Sequence, residues 1–147
     1  MEGVARKEFE ERIIETKRVS KKNSGGNTMS FSVLCAIGDR NGRVGFGHAK
    51  ARDIASAISR STSAARKNLV TIKRKGGTIA HEVGFKIGAS EVFLKPAPEG
   101  TGLIAGGAVR QVLELAGIRD ISAKMFGSSN KLLNVRATIE ALKSLKG

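Results

Sequence analysis

The sequence predicts an α+β fold, with a three-stranded antiparallel sheet and one helix first, and then a second unit of strands closed by helices. Three observations carry this. Asn41-Gly42 stands between two apolar alternating runs, Phe31 to Ile37 and Val44 to Phe46, as a tight hairpin turn requires. From Ile54 the period changes, and Ile54, Ala57, Ile58, Ser61, Ala64 and Ala65 recur at helical spacing within an arc of about 120°. Past Gly76-Gly77 the order becomes strand, strand, helix, strand, helix, the pattern of an α+β sandwich.

In chain order, residues 1 to 12 mix charges, and Phe9, Ile13 and Ile14 are the first apolar anchors, with a spacing that fits a strand or a helix. Thr16 to Thr28 reads as a turn-rich basic loop at a hairpin tip, containing Arg18, Ser20, Lys21, Lys22, Gly25, Gly26 and Asn27. Its glycines let backbone amides approach a ligand, and its lysines add charge without fixed geometry. In the following strand Cys35 shares a side with Phe31, Val33 and Ile37, which predicts a buried, inert thiol. The third strand leads into a helix over Ala51 to Asn68.

Lys73-Arg74-Lys75-Gly76-Gly77 combines a charge run with two glycines, which predicts a division of the chain there into residues 1–72 and 73–147. Val83, Phe85 and Ile87 then alternate with Glu82, Gly84 and Lys86, and Val92 to Lys95 forms another strand that Pro96 and Pro98 stop. After a glycine-rich turn, a helix places Val109, Val112, Leu113 and Ala116 inward. A strand through Ile121, Ala123 and Met125 follows, and the last helix, Lys131 to Lys146, aligns Leu132, Val135, Ile139, Leu142 and Leu145.

A chain of 147 residues buries roughly 70% of its unfolded surface, so folding requires neither metal nor disulfide. The single cysteine and an amino-terminal stretch without an apolar core point to a soluble protein of a reducing compartment. Net charge is +13, and residues 16–75 hold 14 Lys and Arg against Asp39 and Asp53, a local net of +12. That half calls for a polyanionic partner. On the first helix Arg52, Arg60, Arg66 and Lys67 oppose the apolar arc, and Arg43, His48 and Lys50 lie on the strand before it. Cations at a helix start oppose its dipole by a few tenths of a kcal/mol, so Lys50 and Arg52 point to phosphate, against the plain alternative of a solvated charged face.

Other chemistries find less support. Gly100-Thr-Gly102-Leu-Ile-Ala105, with Asp120 beyond it, formally fits a dinucleotide fingerprint. However, two prolines separate strand from glycines, and too little chain follows to complete such a sheet. The glycine-rich entry near Arg110 either cradles a phosphate or allows close helix packing. Neither His48 nor His81 has a nucleophile or carboxylate in catalytic spacing, and one cysteine with two scattered histidines makes no metal set, so no catalytic residue, metal or cofactor is assigned. With no Trp or Tyr and six Phe, composition argues for reading phosphate geometry and shape over stacking of unpaired bases. Charge alone does not separate RNA from DNA.

Ordered segments along nearly the whole chain resemble the bacterial-type family of small-subunit ribosomal protein number five. They are Arg18-Val-Ser-Lys21 with Gly25-Gly26, Ser30-Phe31-Ser, Gly38-Asp39, Asn41-Gly-Arg-Val-Gly-Phe-Gly47 and Lys50-Ala-Arg52. In the second half they are Lys95-Pro-Ala97, Glu99-Gly-Thr-Gly102, Ile104-Ala-Gly-Gly107, Arg110, Leu113-Glu114, Ala116-Gly117, Asp120, Gly127-Ser128, Asn130 and Val135-Arg-Ala-Thr138. The resemblance implies a double-stranded-RNA-binding-like first domain without the first helix of that fold, and a two-layer α+β second domain with a left-handed βαβ crossover. It also implies a non-catalytic role in the small subunit of a cytoplasmic ribosome, with an organellar ribosome as the alternative: binding ribosomal RNA, supporting assembly and influencing decoding accuracy near messenger entry. Ribosomal proteins three, four and eight are the implied neighbours, and the glycine loop is implied near the spectinomycin site; neither a membrane nor a small-molecule substrate is implied. A free double-stranded-RNA-binding module is the alternative. The chain departs from the family pattern where Ser24 and Asn27 replace two cations, where Ala49 replaces glycine, and where Lys131 and Leu133 replace proline and asparagine.

Overall fold

The computed structural model describes residues 9–23, 25–127 and 130–145. The first sheet runs β1 (Glu10–Asn23), β2 (Gly26–Gly38), β3 (Arg43–Ala51) and β4 (Val70–Thr71), all antiparallel neighbours, with α1 (Ile54–Lys67) between the last two. The expected three-stranded sheet is therefore four-stranded, because two-residue β4 is too short to leave a periodic signal. Most of the expected basic loop is strand. Pairing runs unbroken from Glu15↔Leu34 to Asn23↔Gly26, while β3 stops pairing at Phe31↔Ala51, so a two-stranded ribbon projects past the sheet. A register shift between Ile13 and Glu15 bends β1, with Ile14 buried and Ile13 48% exposed.

Strand β2 is covered on both faces. Cys35 and Ile37 pack toward Ala65 of α1, and Leu34 and Ala36 join the larger core on the opposite side. In the sequence this shows as an apolar run from Val33 to Ile37 without polar alternates. Cys35 is 1% exposed, the buried thiol that its position predicted.

Glycines of β3 set how closely α1 can lie. A Cβ on Gly47 would overlap the carbonyl oxygen of Ser61 and lie 2.6 Å from the nitrogen of Ala65; one on Gly45 would lie 2.7 Å from the oxygen of Ala65. Helix backbone thus rests almost on strand backbone, and the helix residues buried there are correspondingly small: Ala57, Ser61 and Ala65. The broad apolar arc expected from the sequence is in fact this narrow seam. Ile54, expected to pack, is 45% exposed, since a contact this close has no room for a larger side chain.

The second half contains β5 (Val83–Ile87), β6 (Ser90–Pro96), β7 (Leu103–Ile104), α2 (Gly107–Ala116), β8 (Ile121–Gly127) and α3 (Lys131–Lys143). Its sheet has the order β5-β6-β8-β7, and β7 and β8 are parallel, so α2 closes a βαβ unit. Two-residue β7 was not anticipated, and α3 ends at Lys143, although Leu145 beyond it is still buried. Asn130 caps α3 by accepting from the N–H groups of Leu132 and Leu133.

Helices α2 and α3 lie between the two sheets, giving the layer order α1, first sheet, helices, second sheet. One continuous core joins Leu34, Ala36 and Val44 to Val112, Leu113, Leu142, Val92 and Leu94. The hairpin turn after β2 seals the junction: the N–H of Arg40 donates to the carbonyl of Leu115 (2.8 Å) and that of Gly42 to the carbonyl of Ala116 (3.0 Å). These bonds satisfy two carbonyls that the end of α2 would otherwise leave open. The Arg12 guanidinium adds an ion pair to Glu114 of α2 (2.7 Å) and another to Glu10, which also holds Arg40.

Candidate nucleic-acid interface

Antiparallel pairing brings the carboxyl end of β3, the amino end of α1 and the β1–β2 ribbon to one end of the first sheet. There Ser30, Lys50, Ala51, Arg52, Asp53, Ser56 and Arg60 line a cleft of about 490 Å³. The side chains of Lys50, Arg52 and Arg60 are exposed and form no ion pair among the described residues. Arg18 and Ser20 extend the exposed surface along β1, and Gly25 and Gly26 are exposed at the tip, where Gly26 has φ +124°, a backbone state open to glycine. The backbone places Lys21, Lys22 and Asn27 in the same ribbon, and Ser24 lies outside the described residues.

The helix entry differs from expectation in one respect. Asp53 is the N-cap of α1, and its carboxylate accepts from the N–H of Ser56 at 3.1 Å, a bond that holds its pKa below the ordinary aspartate value. A carboxylate thus occupies part of the anion-binding potential of the helix end, and Lys50, Arg52 and Arg60 around it carry what remains.

On the face of the sheet away from α1, Lys17, Ser32 and Lys50 are register partners across three strands. His48 shares a 2.6 Å hydrogen bond with the hydroxyl of Ser32. Desolvation against the sheet, and then the neighbouring Lys50 ammonium, push the pKa of His48 below the ordinary histidine value, so it is a neutral polar contact; Lys17 is answered by Glu15 at 3.5 Å, and Lys50 supplies the charge. Lys17 and Ser32 were not singled out from the sequence. A strand period through residue 17 would have found the lysine, but the cross-strand register that selects Ser32 has no local signal.

The remaining basic residues lie elsewhere. Arg43 begins β3 at its far end, seven residues from Lys50 or about 23 Å along the strand, with its guanidinium on Asp39 at 2.8 Å and over the ring of Phe9. Arg66 is paired with Glu11 at 2.7 Å. Lys67 borders a separate cleft with Arg136 and Lys143. Arg110 is paired with Glu114 at 3.2 Å and joins Arg40, Arg74 and Arg119 around a cleft of about 610 Å³, of whose arginines only Arg74 belongs to a charged run of the sequence.

The nucleotide fingerprint has another use. Asp120, 7% exposed, accepts from the N–H groups of Gly100 (3.1 Å) and Gly102 (2.9 Å), so the loop's amides turn inward to their own carboxylate. At the entry of α2, a Cβ on Gly106 would meet only the methyl of Met125, and one on Gly107 would meet open space, so packing accounts for the first glycine alone.

The profile of the ribosomal protein S5 N-terminal domain matches residues 9–73, and that of the ribosomal protein S5 C-terminal domain matches residues 85–147. Together they cover both halves of the fold, and the chain belongs to the ribosomal protein S5 family of the small ribosomal subunit. Its relatives include the small ribosomal subunit protein uS5 of Campylobacter jejuni in the strains 81-176, 81116 and RM1221, each 50% identical over 147 residues, or 100% of both chains.

Proposed function

We propose that this chain is a non-catalytic structural constituent of the small ribosomal subunit in the cytoplasm, and that it grips ribosomal RNA with the ribbon, the end of β3 and the entry of α1. One observation carries the placement: Lys50, Arg52 and Arg60 converge around a single cleft and form no ion pair among the described residues, the one carboxylate there, Asp53, being spent on the helix cap, whereas Arg40, Arg43 and Arg66 at the opposite end are held in ion pairs. Unpaired cations beside backbone-rich turns suit a phosphate backbone read by its shape. A relationship that extends over both halves favours a ribosomal protein over a free double-stranded-RNA-binding module, for which the first half alone would suffice. On this proposal the chain divides into residues 1–72 and 73–147, close to residue 73 where the first family profile ends, and it has roles in subunit assembly and decoding accuracy. Ribosomal proteins three, four and eight, and messenger RNA at the entry channel, are its neighbours on this reading, which the family resemblance supports.

The test is binding to folded small-subunit RNA across a salt series. If four to six phosphates are neutralised, log affinity falls with log salt at a slope of roughly −4 to −5. The double variant Lys50→Ala/Arg52→Ala reduces that slope by about two and weakens binding alike across RNA sequences. Its fold survives, because α1 packs through Ala57, Ser61 and Ala65 rather than through its entry. An unchanged slope in a folded variant would move the RNA contact away from this cleft.

A further inference from the structure

The outer face of the second sheet carries a second surface. Strand alternation sends Val92 and Leu94 inward and Phe93 outward, and Phe126 on β8 points the same way; they are 45% and 49% exposed. Their rings meet edge to face with centroids 5.6 Å apart. Phe93 is flanked in register by Gly84 on β5 and Lys124 on β8, and the rest of the face presents Lys86, Glu91, Lys95, Ser122 and the 55%-exposed Ile104. The absence of a side chain at Gly84 lets the Phe93 ring lie over bare strand backbone, since a Cβ there would lie 2.9 Å from the ring. None of the described elements packs on this face, because α2 and α3 occupy the other.

From this arrangement we propose that the outer face of the second sheet binds an unpaired strand of RNA by stacking bases on Phe93 and Phe126. The inference rests on the RNA-binding reading above and assigns the chain a second, chemically different contact. Charge selects the occupant. Lys95 is answered by Glu82 at 3.6 Å, but Lys86 and Lys124 make no ion pair among the described residues, and Lys124 stands directly across from Phe93. A ring beside an unpaired ammonium matches the repeat of a single strand, one flat base and one phosphate. Glu91 and Ser122 add acceptor and donor groups for base edges and 2′-hydroxyls. A docking patch for a protein would be apolar across its centre, whereas here lysines interleave the rings. Overall aromatic content argued against stacking, but composition does not register that two of six phenylalanines lie side by side on an open sheet.

The experiment compares a fluorescein-labelled single-stranded RNA decamer with a hairpin duplex, on the full chain in the Lys50→Ala/Arg52→Ala background, which weakens the first site. Phe93→Leu/Phe126→Leu keeps an apolar surface but removes both ring faces. With stacking worth roughly 5- to 150-fold per ring, the leucine variant loses at least about 30-fold in decamer affinity and leaves duplex affinity within about twofold. Thermal melting confirms that both half-exposed substitutions leave the fold intact. Decamer binding unchanged by leucine overturns the proposal while leaving the first site standing. Unchanged RNA binding, combined with failure of Phe93→Ala/Phe126→Ala to enter subunits, overturns it in favour of a protein partner. If the parent chain, without any substitution, binds neither RNA, both readings fall.

Discussion

Gly47→Ala tests how closely α1 rests on β3. The added methyl would coincide with the Ser61 carbonyl and stand 2.6 Å from the Ala65 nitrogen, and both are helix backbone that no rotamer change can move. Restoring ordinary contact lifts the helix by about 1 Å, which opens the seam of Ala57, Ser61 and Ala65 along its length. Overpacking costs about 1–3 kcal/mol, and rigid partners put this site near the top, at about 3 kcal/mol. For a chain of this size that lowers the melting temperature by roughly 6–12 °C. Gly107→Ala is the matched control. Its methyl meets nothing within 4 Å, so it is neutral or gains up to about 1 kcal/mol from a stiffer unfolded chain. Urea and thermal unfolding of both variants provide the measurement. A Gly47→Ala protein within about 0.5 kcal/mol of the parent would show that helix and strand are not in backbone contact.

Glu114 and Glu10 have pKa values held below the ordinary 4.5, Glu114 chiefly by Arg12 and Glu10 chiefly by Arg40, so their stabilisation is complete above that pH and is lost as pH falls through their folded values. Glu114→Gln therefore flattens the loss of stability as the pH falls below the ordinary carboxylate value of 4.5, and an acid titration with the parent's slope would remove this pair from the account. Asp120→Ala leaves the amides of Gly100 and Gly102 without their acceptor and costs about 2 kcal/mol or more, whereas Asp120→Asn, which keeps one oxygen, costs less. Equal urea midpoints for the three proteins would contradict the caging, and saturable binding of a nicotinamide dinucleotide in calorimetry would restore the fingerprint reading.

Features encoded locally were legible in the sequence. The Asn41-Gly42 turn, the period change near Ile54, the buried Cys35 and the basic stretch around Lys50 and Arg52 each depend on residues a few positions apart. Features made by distant residues were not. Nothing near Gly38 or Arg40 announces that the turn will bond to the end of α2, and the cover on the far side of Leu34 and Ala36 comes from helices seventy or more residues later. Two-residue β4 and β7 exist only because a longer neighbour pairs them. The cations show the same limit. A local sum of +12 treats Arg43, Arg66 and Arg52 alike, yet partners from β1 and the turn neutralise the first two and leave the third unpaired.

Strand β1 has a consequence for the protein before it meets RNA. For 14 residues it is the rim of its sheet, paired among the described residues only on the β2 side, which leaves a row of backbone donors and acceptors facing away from the sheet. Its irregularity after Ile13 breaks the straight template, and eight of its 14 residues are charged: Glu10, Glu11, Arg12, Glu15, Lys17, Arg18, Lys21 and Lys22. From Lys17 onward the sign is uniformly positive, so two copies approaching along their ribbons repel each other. Those like charges disfavour pairing of two copies along this edge, and on the function proposed above a polyanion that neutralises them covers the same edge as it binds.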